Sequence, residues 1–345
     1  MAPTHRDVTI KDVAREAGVG LGTVSRVINN HRDVNEASRE KVLAVIERLG
    51  YRPDLLARSM RAGMSHTLAF VVRDFTGATL SALADAVQNE VDSYGFSLFV
   101  ASSYHDPTRE LAMLQRFKAR RVDGIIVATS SETDPELLAE LIRPGPPIVL
   151  LDRAKPERLD KVQADHASGV GFAVTHLAAL GHRRIALITG EPDLFPTRER
   201  IRGWREALEA AGLKADPALC QAGSFALSFA YEQARQLLSG ASAKRPTAII
   251  AGGTALLAGV MHAAQELGRR IPNDLSVVGG ADSDLARFAT PPISVLVWDH
   301  SSLARTAAQF IIGRLQNSAL PPRRHIFPMK LITRSSCAPP LIRPQ

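Results

Sequence analysis

The first 50 residues carry three runs of apolar residues at helical spacing. The first predicted helix follows the N-cap residue Thr9 and ends before Gly18, the second covers residues 21–29, and the third follows Asn35 and ends at Gly50. The apolar positions that define the three helices are Ile10, Val13, Ala14, Ala17, Val24, Val27, Ile28, Val42, Val45, Ile46 and Leu49. Two short helices joined by a glycine-containing turn and followed by a third helix are typical of a helix-turn-helix unit.

From Leu68 onward, short β-branched runs alternate with helical periodicities. The runs are LAFVV at residue 68, FSLFV at 96, GIIVA at 124, PIVLL at 147, RIALI at 184, TAIIA at 247, LSVVG at 275 and ISVLV at 293. Apolar strands with helices between them indicate parallel sheets that are covered on both faces and joined by right-handed crossovers. Eight strands of this kind predict two sheets.

Such sheets bind ligands outside the carboxyl ends of their strands, so the residues that follow each run predict a pocket. These residues are Arg73, Asp74, Ser102, Ser103, Thr129, Ser130, Asp152, Arg153, Gly190, Gly252, Gly253, Thr254, Ala281, Asp282, Trp298 and Asp299.

Composition narrows the class of protein. The chain has 345 residues, of which 45% are hydrophobic and 22% are charged, which is typical of a folded globular protein and excludes a disordered or collagen-like chain. Its two cysteines, Cys220 and Cys337, lie too far apart in sequence for a disulfide framework or a cysteine zinc site. The start has no apolar signal-peptide core, and the uncharged stretch 247–265 is divided by Gly252 and Gly253 into a strand and a helix. We therefore expect a cytoplasmic protein with no membrane partner.

The net charge of +7 is unevenly distributed. Residues 1–63 carry 11 Lys and Arg against 8 Asp and Glu, whereas the remaining 282 residues carry 31 against 27. The positive charge is therefore denser at the N-terminus, which is compatible with a polyanionic partner there.

Several segments resemble the LacI/GalR family of repressors. The segment VTIKDVAREAGVGLGTVSRVINN, followed by VNEASREKVLAVIERLGYRPDLLARSMR, resembles the DNA-binding head and hinge of that family. The resemblance continues through RRVDGIIVA at 120, HLAALGHRRIALITG at 176, RERIRGWREAL at 198, DLSVVGGADSDLARFATPPISVLVWD at 274 and LITRSS at 331. It implies a homodimeric transcriptional regulator, most often a repressor, that binds double-stranded operator DNA and a small-molecule effector.

Together, the pattern and the resemblance predict the domain organisation. We expect a small all-α helix-turn-helix head at residues 1–50, a hinge at 51–64 and an α/β core at 65–340. The core should resemble periplasmic binding proteins, with two doubly wound parallel-sheet subdomains at about 65–164 plus 296–325 and about 165–295 plus 326–340.

The resemblance also implies which residues contact DNA. Leu21 and Gly22 fall at the base-reading positions, and Arg26 is the best candidate for a forked contact to guanine. Met60 corresponds to the apolar side chain that enters the minor groove and kinks the duplex. The full predicted set is Thr9, Gly20, Leu21, Gly22, Thr23, Ser25, Arg26, Asn29, Asn35, Ser38, Tyr51, Ala57 and Met60. Among these, Thr9, Asn35 and Ser38 are candidates for phosphate contacts, and Gly20 stands where the family usually has serine.

In the core, Arg200 corresponds to the family's effector arginine and Phe225 to the aromatic residue that stacks on the ligand. The predicted effector set is Arg73, Asp152, Arg200, Phe225, Gly253, Asp282 and Trp298. Gly252, Gly253 and Ala281 replace polar residues that bind sugar hydroxyls in relatives, so we expect neutral sugars to bind weakly.

Two interpretations of the strand-end arginines remain open. Arg73, Arg153 and Arg200 could bind a carboxylate or phosphorylated ligand with a flat or apolar part. Alternatively, they could form ion pairs with Asp74, Asp152 or Asp282.

Catalytic interpretations have weaker support. Gly18, Gly20 and Gly22 lack the preceding strand of a phosphate-binding loop, and His176 and His182 are spaced wrongly for a helical zinc site. His105 and His166 have no evident partner in the sequence. We expect no enzyme activity, cofactor or metal. The alternative is a sugar-metabolism enzyme fused to a DNA-binding head, with Asp282 as its general base.

Overall fold

The computed structural model describes residues 8–28, 31–51, 64–73, 78–241 and 244–341. Residue contacts divide the chain into two compact units, Met1–Ser65 and His66–Gln345. The predicted hinge at 51–64 lies outside the described residues except at its two ends.

The head contains three helices: α1 (Ile10–Ala17), α2 (Leu21–Ile28) and α3 (Glu36–Leu49). The Asp12 carboxylate accepts hydrogen bonds from the backbone N (3.0 Å) and the hydroxyl (2.7 Å) of Thr9, so α1 begins as predicted. Helix α3 begins where the Asn35 side chain accepts a 2.8 Å hydrogen bond from the backbone N of Ser38. The small core consists of Val13, Ala14, Ala17, Val24, Val27, Val42 and Val45.

The first sheet of the core has the strand order β11-β5-β4-β3-β1-β2, and all its pairings are parallel. Its strands are β1 (Thr67–Val72), β2 (Ser97–Ser102), β3 (Gly124–Val127), β4 (Ile148–Leu151), β5 (Asp160–Ala164) and β11 (Arg324–Phe327). The helices of this subdomain are α4 (Ala78–Asp92), α5 (Pro107–Ala119), α6 (Pro135–Ile142) and α12 (His300–Gln316).

The second sheet has the order β12-β10-β9-β8-β6-β7, in which only the pairing of β12 with β10 is antiparallel among the described strands. Its strands are β6 (Ile185–Thr189), β7 (Cys220–Ala222), β8 (Ala248–Ala251), β9 (Ser276–Gly279), β10 (Ser294–Val297) and β12 (Lys330–Ile332). The helices are α7 (His166–Ala179), α8 (Phe195–Ala210), α9 (Leu227–Ser239), α10 (Thr254–Glu266) and α11 (Asp284–Phe288), with a 3₁₀ turn at Pro217–Leu219.

The predicted fold class is confirmed: a helical head is joined to two mostly parallel, helix-covered sheets. The eight apolar runs all form strands, but they miss β5, β7, β11 and β12. Strand β5 is fully buried although it contains Asp160 and Gln163, because Arg314 and Arg323 bind the Asp160 carboxylate at 2.8 and 2.6 Å. A search for apolar runs cannot detect a strand whose buried charge is neutralised by residues distant in sequence.

The chain passes between the two sheets three times. It does so between β5 and α7, between β10 and α12, and between β11 and β12. The first sheet therefore takes its last strand from near the C-terminus. The residue limits given above for the two subdomains stay predictions.

Candidate functional site

Helix α2 of the head presents one face to solvent. Val24 and Val27 are buried, whereas Leu21 is 46% exposed and Gly22 and Arg26 are also exposed. Nothing lies within 4 Å of the space that a side chain would occupy at Gly20 or Gly22. The beginning of α2 is therefore unobstructed within the described part of the head, as base reading requires.

The other predicted DNA contacts fall into three groups. Thr9 and Asn35 are exposed at the starts of α1 and α3, where backbone N–H groups favour phosphate. Thr23, Ser25, Ser38 and Tyr51 are half-buried. Asn29, Ala57 and Met60 lie outside the described residues.

In the core, the Phe225 ring is held between the two subdomains. The guanidinium carbon of Arg73, which follows β1, lies 4.1 Å from the ring centroid. The guanidinium carbon of Arg200, on α8, lies 5.7 Å from the same centroid. A Cβ added at Gly190 would overlap the ring, and one at Gly253 would lie 3.7 Å from it. The structure thus brings together four predicted or strand-end residues around Phe225.

The guanidinium of Arg200 is enclosed by the core. The residue is only 6% exposed, and its Nη1 atom has no hydrogen-bond partner among the described residues. Burial lowers the pKa of Arg200 to about 10; the charge of Asp152 opposes this effect, and the charges of Arg73 and Arg153 add to it. Arg200 stays cationic at neutral pH and keeps one donor available.

Asp152 follows β4 and binds a histidine that sequence reasoning left without a partner. Its two carboxylate oxygens lie 3.0 and 2.8 Å from Nε2 of His166, and one accepts a 3.2 Å hydrogen bond from the backbone N of Ala164. Burial alone would raise the pKa of Asp152, but His166, Arg153 and Arg200 lower it to about 2. Burial lowers the pKa of His166 despite the nearby carboxylate. Asp152 is therefore ionised at neutral pH, and both of its carboxylate oxygens contact His166.

The carboxylate of Asp282 is bound by two arginines of its own subdomain. Arg287 and Arg334 lie 2.9 and 2.8 Å from it, and together they lower its pKa against the effect of burial. With Trp298, Asp282 lines a cavity of about 430 Å³ that also touches Ala82 of α4. Because the strand-end rule locates a residue without revealing its partners, these two arginines could not be foreseen.

Some polar side chains near the predicted residues were missed by sequence reasoning. Thr189 ends β6, and Thr197 lies three residues before Arg200 on the same face of α8. Both hydroxyl oxygens are buried without a hydrogen-bond partner among the described residues, as is that of Ser130, which the strand ends did predict. The spacing of Thr197 and Arg200 was the signal that could have identified Thr197.

Polar contacts also join the two subdomains. The Glu132 carboxylate accepts a hydrogen bond from the backbone N of Phe195, the first residue of α8, and lies 3.2 Å from Nη2 of Arg198. The Thr133 hydroxyl donates to Asp193 at 2.9 Å. The strand-end loops of the two sheets therefore meet directly.

Two kinds of site find no support in the described part of the chain. It holds no group of three His, Cys, Asp or Glu side chains arranged to bind a metal ion. Among the described helices, none combines the length and apolarity needed to cross a membrane.

Comparison with known proteins identifies the family. Residues 9–54 match the model for bacterial regulatory proteins of the lacI family, and residues 174–337 match a periplasmic binding protein-like domain. The chain is 32% identical to the HTH-type transcriptional regulator DegA of Bacillus subtilis, over 96% of this chain and 98% of the relative. It is 34% identical to the ribose operon repressor of Escherichia coli K12, over 92% and 96%. This chain belongs to the LacI family.

A solved LacI-family structure supports the same assignment. The lac repressor dimer bound to operator and the anti-inducer ONPF is 26% identical, with a TM-score of 0.84 over 96% of this chain and 100% of that one. The chain is therefore a DNA-binding transcriptional regulator of the LacI family, and the enzyme alternative is not supported.

Proposed function

We propose that this LacI-family regulator represses transcription as a homodimer on a pseudopalindromic operator, and that a small effector in the core cleft controls its affinity for that operator. The observation that carries the proposal is the buried Arg200, whose Nη1 is unpartnered in the described cleft. A buried donor without a partner is costly, and a ligand that accepts its hydrogen bond offsets this cost.

For the DNA contacts, we propose that α2 enters the major groove with Leu21, Gly22 and Arg26 facing the bases. Their exposure above buried Val24 and Val27 supports this orientation. Thr9 and Asn35 would bind phosphates and set the register, and Met60 would act as the minor-groove wedge. We propose that this takes place in the cytoplasm, at operator DNA.

For the homodimer, we propose that a second copy of the chain covers two apolar patches of the core. One is the edge strand β2, where Phe99 and Val100, on opposite faces of the strand, are 46% and 40% exposed. The other is formed by Leu285 and Phe288 on α11, of which Phe288 is 81% exposed. Exposed apolar patches mark association surfaces, and the related lac repressor is a dimer on its operator.

For effector control, we propose that the ligand contacts Arg200 and Phe225 and shifts the two subdomains relative to each other. In the dimer, such a shift would change the spacing of the two heads. A coupling free energy of roughly 1 to 3 kcal/mol would change operator affinity about 5- to 150-fold.

The experiment begins with selection of an operator from random duplexes by the purified full-length chain. Thermal shift then screens sugars, sugar acids, sugar phosphates and aromatic acids, because a ligand of the folded state raises its stability by ~2.7 kcal/mol at 100 times its Kd. Fluorescence anisotropy measures operator affinity with each hit, and its direction distinguishes inducer from corepressor. The proposal fails if no operator is enriched, or if no stabilising ligand changes operator affinity.

A further inference from the structure

Two cations of the core share one aromatic ring. The guanidinium carbons of Arg73 and Arg200 lie 4.1 and 5.7 Å from the centroid of Phe225, and they come from opposite subdomains. Like charges held close together in a buried site repel each other, and a bound anion relieves this repulsion.

Two other charged side chains near this ring, those of Arg153 and Asp152, are held by hydrogen bonds. Arg153 donates to the backbone carbonyl oxygens of Thr129 at 2.6 Å and of Asp152 at 2.8 Å. Both oxygens of the Asp152 carboxylate contact His166. Glu191 lies 3.7 Å from His105 across the cleft, and its Oε2 atom has no hydrogen-bond partner among the described residues. Nη1 of Arg200 is thus a buried donor with no hydrogen-bond partner among the described residues, and the side chains of Arg153 and Asp152 are occupied by other hydrogen bonds.

We infer that the effector is a small hydroxycarboxylate, with its carboxylate bound by Arg200 and Arg73 and its hydroxyls bound by Thr189 and Thr197. The inference rests on the proposed function, since it names the ligand class of that cleft. A carboxylate matches the forked geometry of a guanidinium.

The charge of Asp152 favours a monoanion over a dianion. His166, Arg153 and Arg200 keep the Asp152 carboxylate ionised at neutral pH, and its charge acts on Arg200. Arg73, Arg153 and Arg200 carry three positive charges here, and Asp152 and Glu191 carry two negative ones, so a monoanion balances the charge and a phosphate dianion exceeds it. Sugar phosphates are therefore expected to bind more weakly than sugar acids.

The threonines explain why the acid should also carry hydroxyls. Oγ1 of Thr189 and Oγ1 of Thr197 are buried and unpartnered in the described core, and Thr197 shares a helix face with Arg200. Each threonine hydroxyl can both donate and accept one hydrogen bond with a ligand hydroxyl. The carboxylate and the hydroxyls of one small ligand can therefore satisfy both kinds of group.

The test compares each acid with its neutral counterpart by isothermal titration calorimetry on the full-length chain. The pairs are glycerate with glycerol, threonate with threose, ribonate with ribose and gluconate with glucose, and glucose 6-phosphate provides the dianion arm. We expect at least one acid to bind at least tenfold more tightly than its neutral partner and than the phosphate. If no acid surpasses its neutral partner tenfold, or if the phosphate binds best, the inference is wrong.

Single substitutions test whether Arg200 and Arg73 cause the preference for acids. Arg200→Gln and Arg73→Gln should each reduce acid binding at least tenfold. Arg202→Gln is the matched control, because Arg202 lies on the same helix but is half-exposed and paired with Glu199 and Glu206. If Arg200→Gln does not fold, Arg73→Gln decides the question. Retained acid binding in Arg73→Gln, or an equal loss in Arg202→Gln, contradicts the inference.

The ligand class and the proposed effector control of DNA binding are contradicted by different results. A neutral sugar that binds more tightly than every acid and changes operator affinity overturns the hydroxycarboxylate while leaving the effector-controlled repressor intact. An acid that binds through Arg200 without any effect on operator affinity supports the ligand class and overturns the proposed control of DNA binding.

Discussion

Gly203 of α8 lies directly against the backbone of Ala167 on α7. A Cβ added at Gly203 would overlap the carbonyl oxygen of Ala167. The close approach of these two helices sets the position of α8, the helix that carries Thr197 and Arg200.

We therefore expect Gly203→Ala to destabilise the core by roughly 1 to 3 kcal/mol, because a backbone neighbour cannot move aside as a flexible side chain can. Urea unfolding measures the change. Gly171→Ala on α7 is the control, since its added Cβ meets only Ala207 at 3.9 Å. In that control, helix propensity should raise stability by up to about 1 kcal/mol. Equal effects of the two substitutions would argue against the close packing.

Arg26→Ala should weaken specific operator binding by about 1 to 3 kcal/mol and relax the preference at one base position in each half-site. Arg26 is exposed on α2, so the substitution should leave the fold of the head unchanged. Anisotropy with the selected operator and its single-base variants measures both effects. A uniform loss on all sequences would make Arg26 a phosphate contact instead of a base contact.

Phe288→Asp should shift the protein from dimer to monomer, because a charge in an apolar interface is left without a partner. Sedimentation velocity over a range of concentrations measures the change. Phe172→Asp is the matched control: Phe172 is 49% exposed but lies on α7, outside both proposed patches. A Phe288→Asp protein that remains dimeric would exclude α11 from the interface.

The lowered pKa of Asp152 predicts a contribution to folding stability that is lost at acid pH. Its folded-state pKa of about 2 is below the ordinary value of 3.8, so the contribution is present above pH 3.8 and is lost as the pH falls through 2. We expect the difference in unfolding free energy between the natural chain and Asp152→Asn to shrink by about 2 kcal/mol between pH 5 and pH 2. Urea titrations at several pH values measure it, and a constant difference would contradict the assignment.

Gly190→Ala should displace the Phe225 ring, because the new methyl group would occupy the space of the ring. We expect lower thermal stability and loss of the response to effector. The double variant Gly190→Ala/Phe225→Ala tests the cause: with the ring removed, the glycine substitution should cost almost nothing further. If the two effects simply add, the contact between Gly190 and Phe225 is not the reason.

The fold was predictable from the sequence because most of its strands are apolar runs and glycines mark the ends of several of them. Strand β5 was missed because its stability depends on ion pairs between Asp160 and arginines more than 150 residues away in sequence. Strand β11 was missed because three of its four residues are exposed at the edge of a sheet. Local patterns contain neither kind of information.

The candidate cleft was predictable to a similar degree. Strand ends and family resemblance selected Arg73, Arg200 and Phe225, which the structure brings together. The sequence could not show two of the ion pairs, because each joins residues of different elements. These pairs are Asp282 with Arg334 and Asp152 with His166. Thr197 lies three residues before Arg200, but the sequence does not show that its hydroxyl oxygen is buried without a partner among the described residues.

The three passages of chain between the sheets restrict how the core can move. Each passage is short, and the backbone N of Asp165 in one of them donates a 2.9 Å hydrogen bond to the carbonyl oxygen of Phe327 at the start of another. Three tethers side by side resist translation, but small changes of dihedral angle in each still permit a rigid-body rotation. We therefore expect the two subdomains to move mainly by rotation about an axis through these passages. A ligand bound in this cleft is therefore expected to act on the rest of the protein by changing the angle between the two subdomains about that axis.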